Sequence, residues 1–154
     1  MAVNMLFWKA LLAFLVLPGI VAFAAPLLLL KPAAAPFTLP GVIVVVAGSA
    51  LLLWCVREFY VSGRGTLAPW SPPQTLVVTG VYRFSRNPMY VAVVLILWGW
   101  AAGFQSRGLA IYALAVMLAF HLRVVFGEEP WLAGRYGQQW DRYRALVPRW
   151  FGPL

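Results

Sequence analysis

Apolar residues run along this chain in four long blocks, separated by short polar segments. The blocks lie at 6–30, 39–56, 89–104 and 109–126. A helix needs roughly 20 apolar residues to cross a bilayer, so each block reads as a crossing or near-crossing helix. Pro18-Gly19 interrupts the first and predicts a kink. The last two are joined only by Gln-Ser-Arg-Gly, 105–108, and must form an antiparallel hairpin. The first block also has a reading as a cleaved signal peptide, since Ala22-Phe23-Ala24 resembles an A-x-A site. Against it, no basic residue precedes Lys9 and the apolar run continues past that site, which favours a retained helix.

Two polar segments break the pattern. Residues 57–88 hold a Gly/Pro-rich turn region and then a β-branched run, 75–79, that could be extended. Residues 127–154 hold an amphipathic stripe in which Leu132, Tyr136, Trp140 and Tyr143 recur at helical spacing. It predicts a helix over 130–146, stopped by Pro148, lying at the membrane surface or folded back onto the bundle mouth. The expected architecture is all-α and integral to the membrane. One membrane domain of about four transmembrane helices has a C-terminal hairpin and an amphipathic tail helix that together form a pocket.

Composition agrees: 63% of the 154 residues are hydrophobic and 10% charged, against about 25% charged in soluble domains. The net charge of +8 would suggest nucleic acid in a soluble protein. Here the basic residues sit at the ends of apolar runs, where they orient helices and meet anionic lipid. No basic stripe lies on a water-facing domain, so a nucleic-acid partner is not expected. Arg57, Arg64, Arg83, Arg86, Arg135, Arg142, Arg144 and Arg149 fall on one side, Lys31 and Arg107 on the other. The positive-inside rule puts the rich side, with both termini, in the cytoplasm. So short a helical chain points to a prokaryotic inner membrane.

The inventory for chemistry is small. Cys55 and His121 are single and far apart, so a Cys/His metal site is not available. Nucleotide-loop, dinucleotide and hydrolase-elbow motifs are missing. Two polar clusters remain, at the same ends of the last hairpin. In the first, Gly80 to Tyr90, Pro88 opens a helix and Asn87 is placed to cap it. Free N–H groups there, with Arg86 beside them, suit a carboxylate or phosphate. The competing reading makes Arg83 and Arg86 topological anchors and Tyr82 and Tyr90 members of the interfacial aromatic belt. The second cluster is Glu128-Glu129, which reads either as helix-start acids or as a counter-charge for a cation. His121, seven residues before Glu128, is an ionisable group within an apolar run. Arg123 either snorkels or meets substrate.

Together, TLVVTGVYRFSRNPMY and the later EEPWLAGRYGQQWDRYRALVPRW resemble the isoprenylcysteine carboxyl methyltransferase and phospholipid methyltransferase superfamily. The resemblance covers about 63–150 and rests on R-N-P-x-Y, the Glu pair and the Y-G…V-P-R tail in order. It implies a membrane methyltransferase using S-adenosylmethionine on a lipophilic or lipid-linked substrate, with no metal. By position, Gln74, Thr75, Leu76, Val77 and Tyr82 would line the cofactor pocket. Asn87, Pro88, Met89 and Tyr90 would cradle the cofactor, and Glu128 would meet it. Arg86, His121 and Glu129 are the candidate catalytic groups and Arg123 the candidate substrate contact. The eukaryotic prenylcysteine enzymes have His at the Asn87 position and Arg at the Val124 position, which argues against a prenylcysteine carboxylate. A membrane reductase using NADPH and a non-catalytic scaffold are the alternatives.

Overall fold

The computed structural model describes residues 15–30, 36–63 and 74–151. The start of the first expected span, Lys31, Arg64 and most of the Gly/Pro-rich turn region lie outside them. Every regular element among the described residues is a helix. A π-helical stretch, Leu15–Ala24, leads into α1, Ala25–Leu29. Then come α2, Leu39–Val61, a 3₁₀ turn at Gly80–Arg83, α3, Pro88–Gly103, and α4, Arg107–Arg123. A π turn, Val124–Glu128, joins α4 to α5, Glu129–Tyr136, and α6, Gln138–Leu146, follows. Residues 75–79 form no strand.

Among the described residues, two helices are long and apolar enough to cross a membrane. They are Leu39–Val61, with mean hydropathy 2.4 over its best window, and the continuous helix Arg107–Tyr136, with 2.1. Only 22% and 17% of those windows are buried within the molecule. Leu53, Trp54, Ile111, Leu114, Leu118 and Phe126 face outward, the belt that a bilayer covers. The expected third span, α3, has 16 residues, about 24 Å of helix, against a hydrocarbon core of about 30 Å. It is bounded by Pro88 at one end and the hairpin turn at the other, and it forms the core of the bundle. Its Ala92, Val93, Ile96 and Leu97 pack against Leu52 of α2, Ala113 of α4 and Ala22.

Close approach of α2 and α3 comes from small residues. Gly41 meets the backbone of Gly103, and a Cβ on Gly48 would stand 3.0 Å from the Ala92 carbonyl. Gly99 and Gly103, a G-x-x-x-G in the sequence, both face the α2 side. In the hairpin turn, Ser106 caps α4 by accepting from the Leu109 N–H at 3.3 Å.

The C-terminal region departs from expectation in two ways. The fourth span does not end near 126, because the π turn carries the helix through to Tyr136. The expected single tail helix is broken at Gly137, whose φ of 49° ends α5. The predicted stripe still packs as one cluster. Trp140, Tyr143 and Val147 are buried, with Leu76, Leu132 and Tyr136 against them. The Tyr143 hydroxyl donates to the Tyr82 carbonyl at 2.7 Å, so the tail folds back onto the 3₁₀ turn.

Candidate active site

Polar residues gather at the end of the bundle where α2 stops, α3 starts and α4 passes into α5. Pro88 is the first residue of α3, where its missing N–H leaves no helical bond unmade. Asn87 occupies the cap position, but its side chain does not accept from the helix. Its Nδ2 instead donates to the Arg149 carbonyl at 3.0 Å, and its own N–H is taken by Ser85 Oγ at 3.1 Å. The returning C-terminal segment has diverted the amide from the capping role expected of it. The amides of Met89 and Tyr90 thus lie in a first turn without a side-chain cap.

Glu128 and Glu129 serve different clusters, since adjacent helical residues diverge by about 100°. Glu128 accepts from the Tyr90 hydroxyl and from Arg123 Nε, the latter at 2.9 Å. Arg123 Nε also reaches the Tyr90 oxygen at 3.1 Å. The π turn brings Arg123 and Glu128 together, because bonds running from i to i+5 align positions five apart. Glu129 is gripped from two sides. Arg86 Nη1 lies 3.1 Å from Oε1, and Arg149 forks both oxygens at 2.8 and 2.9 Å. Fork geometry of this kind makes the strongest guanidinium–carboxylate pairs. Burial lowers the Arg86 pKa despite its neighbour Glu129, while the bond to Glu129 raises that of Arg149. The Arg86 guanidinium also lies over the Trp140 ring, 5.4 Å from its centroid.

Beside the Tyr90 cluster, a cavity of about 600 Å³ opens between α3 and α4. Val91, Val94, Met117, Leu118 and Phe120 line it together with Tyr90 and His121, and Trp150 and Phe151 close one wall. His121 faces the Trp150 ring at 6.1 Å between centroids.

The predicted site residues therefore divide. Tyr90 and His121 line the cavity, Arg123 and Glu128 meet at the Tyr90 hydroxyl, Asn87 and Pro88 stand at the start of α3, and Arg86 and Glu129 form the adjoining pair. Met89 packs between the bundle core and a smaller cluster of Cys55, Val77, Val81 and Tyr82. Gln74 and Thr75 attach to the end of α2, through Gly63 O at 2.9 Å and Ser62 O at 3.0 Å. Leu76 joins the tail cluster and Val77 the Cys55 cluster. Tyr82 is buried with its hydroxyl beside Cys55, and burial holds its pKa well above the ordinary value.

Sequence reasoning passed over four residues of this end. Glu58 is 6% exposed and binds Thr79, Ser62 and Arg57 at 2.8, 3.1 and 3.1 Å. The others are Ser85, Arg149 and Trp150. Arg149 carried one signal, its place in the V-P-R tail; Glu58, one acid beside an arginine, carried none.

A helical membrane protein with its four acids and their arginine partners at one end, and an apolar cavity beside them, is the class that fold and site define. Residues 37–139 match the profile of the phospholipid methyltransferases, and the chain belongs to that family. No curated protein and no solved structure matches it. Family membership makes this a membrane methyltransferase, and the reductase and scaffold alternatives find no support. The match spans Glu58, Asn87 to Tyr90 and both glutamates, and stops before Arg149.

Proposed function

We propose that the protein transfers a methyl group from S-adenosylmethionine to a lipophilic or lipid-linked acceptor, at the arginine-rich end of the bundle. The observation that carries this reading is the bond between Tyr90, in the first turn of α3, and Glu128, on the other arm of the hairpin. It joins an anion-seeking helix start to a carboxylate at the rim of an apolar cavity. The amino-acid part of the cofactor needs both signs of charge. Met89 and Tyr90 amides suit its carboxylate, and Glu128 suits its ammonium or sulfonium. Arg123 is the present partner of Glu128, and its side chain is 61% exposed, free to move aside for a cationic ligand.

When bound, the cofactor supplies an electrophilic methyl group on a positively charged sulfur. The chain's own residues hold the charges and exclude water. Glu129, fixed by two guanidinium groups, acts as a permanent counter-charge that orders the start of α3. His121 is then the group at the cavity wall able to accept a proton from an amine acceptor. An acceptor that is already an anion needs no base, so positioning and exclusion of water supply the acceleration. In this reading the chain is a single membrane domain in a prokaryotic inner membrane. Its arginine-rich end and both termini are cytoplasmic.

Calorimetric titration of the purified protein with S-adenosylmethionine, its demethylated product and NADPH tests the proposal. The first two are expected to bind and NADPH not to. Glu128→Gln removes a charged partner, which is worth about 1.5–3 kcal/mol, so affinity for S-adenosylmethionine is expected to fall about 10- to 100-fold. Binding of NADPH alone would overturn the reading, and unchanged affinity in Glu128→Gln would remove Glu128 from the site.

A further inference from the structure

The Val-Pro-Arg-Trp tail lies beyond the family match; its Arg149 fixes Glu129, and its Trp150 has no part in the function proposed above. Its backbone is laid across the start of α3 by three bonds. The Arg86 N–H donates to Pro148 O at 2.9 Å, and Asn87 Nδ2 and Ser85 Oγ donate to Arg149 O at 3.0 and 3.3 Å. Val147 is buried against Trp140 and Tyr143, and the Arg149 guanidinium is locked on Glu129. The backbone and side chain of Arg149 are thus both fixed before the chain reaches Trp150. The indole that follows is set over His121 and forms, with Phe151, the cavity wall that neither α3 nor α4 supplies.

That wall matters because of what it faces. The Tyr90 ring lies on the cavity's polar side, packed 4.5 Å from Phe120, and its hydroxyl is the one bonded to Glu128. The cavity is therefore continuous with the polar cluster at its inner end and apolar along its length. The Arg149 charge, the nearest in the tail, is already engaged by Glu129. An uncharged hydrocarbon group is the occupant such a lining favours. Two sides are the faces of α3 and α4; the remaining wall is the Trp150 indole, with Phe151 beside it, on an anchored strap.

We infer that Trp150 is a specificity-determining residue: its indole, held over His121, limits the bulk of the hydrocarbon group that can lie beside Tyr90. The occupant's identity as the methyl acceptor's hydrocarbon part rests on the proposed methyltransferase function. The indole's action as a size limit rests on the cavity alone.

The test uses the full chain in lipid nanodiscs and two uncharged photoreactive probes, a linear decyl diazirine and an adamantyl diazirine. Labelling of Tyr90, at 9% exposure, is read by peptide mass spectrometry against labelling of outward-facing Leu114, at 48%. The linear probe is expected to label Tyr90 in wild type, Trp150→Phe, Trp150→Leu and Trp150→Ala alike. The adamantyl probe is expected to reach Tyr90 about tenfold more in Trp150→Ala and Trp150→Leu than in wild type, with Trp150→Phe near wild type. An adamantyl ratio unchanged by both small variants overturns the inference, whether or not the cofactor binds. A raised ratio in a protein that fails to bind S-adenosylmethionine keeps the size limit and overturns only the methyltransferase function. If acceptors of both shapes are turned over, kcat/KM is expected to shift toward the bulky one in Trp150→Leu.

Discussion

Glu58 sits near the end of α2 with a threonine, a serine and an arginine converging on its carboxylate. The segment that brings Thr79 there turns at Gly80, whose φ is 56°. A Cβ on Gly80 would stand 2.7 Å from the Glu58 Cδ, so both the backbone angle and the space demand glycine. Gly80→Ala is therefore expected to destabilise the protein by roughly 1–3 kcal/mol. Gly134→Ala should do the opposite. Gly134 lies inside α5 with nothing within 4 Å of an added Cβ, so the change is expected to stabilise by about 0.5–1 kcal/mol. Thermal-denaturation midpoints in detergent would check the two signs, and a loss at Gly134 equal to that at Gly80 would refute the geometric account. At this scale the sequence was only partly legible. Pro88 and Tyr90 were readable from a helix start beside an apolar run. Asn87 was placed correctly at the cap but given the wrong partner, because its partner is a carbonyl 62 residues away.

At the level of the elements, the first helical stretch shows how a proline is tolerated in an apolar helix packed on the bundle. Pro26 has no N–H to give the carbonyls four and five residues before it, Ala22 and Val21. Unsatisfied carbonyls within a membrane are costly. Trp100 Nε1 of α3 donates to Ala22 O at 2.9 Å, and the Tyr112 hydroxyl of α4 donates to Val21 O at 3.1 Å. The first stretch is thus a π-helix whose carbonyls, freed by Pro26, dock it onto the hairpin. Trp100→Phe should cost about 1–2 kcal/mol by stranding one carbonyl. With Pro26→Ala also present, a backbone N–H returns to that carbonyl and the loss should shrink. A double-mutant cycle on midpoint stability should show coupling of at least about 0.5 kcal/mol, and strict additivity would dismiss the account. The hairpin and the tail stripe could be read from periodicity and a four-residue turn. The continuation of α4 into α5 could not, since Glu-Glu-Pro has the composition of a new helix start. The π turn bonds the Glu129 N–H to Val124 O just before Pro130, whose missing donor it accommodates. The break at Gly137 was equally hidden, because Gly134 has the same side chain and remains helical.

Over the whole molecule, four acids share the chain with twelve basic residues, and each acid is paired with arginine at the same end of the bundle. The pairs are Glu58 with Arg57, Glu128 with Arg123, Asp141 with Arg144, and Glu129 with Arg86 and Arg149. The clustering of arginines on one side was legible from the sequence; the pairing was not, because the C-terminal strap decides it. The Glu129 cluster is the one that ties three parts of the chain together: the start of α3, the start of α5 and the strap. It holds two guanidinium groups on one carboxylate, and the loss of each member has a different consequence. Without Arg149, Glu129 keeps Arg86 and the cluster is neutral. Without Glu129, Arg86 is left with its side chain 12% exposed and with Arg149 as a like-charged neighbour. Glu129→Gln is therefore expected to destabilise by about 3 kcal/mol, in the manner of a stranded buried charge. Arg149→Met should cost about 1 kcal/mol, the range of a partly exposed ion pair. The double variant should be less damaged than the sum, since removing Arg149 relieves the repulsion that Glu129→Gln creates. Denaturation midpoints of the three variants in one detergent decide the matter: if Arg149→Met proves as damaging as Glu129→Gln, the loss of the Arg149–Glu129 pair explains both variants and the stranded charge on Arg86 is not what Glu129 prevents.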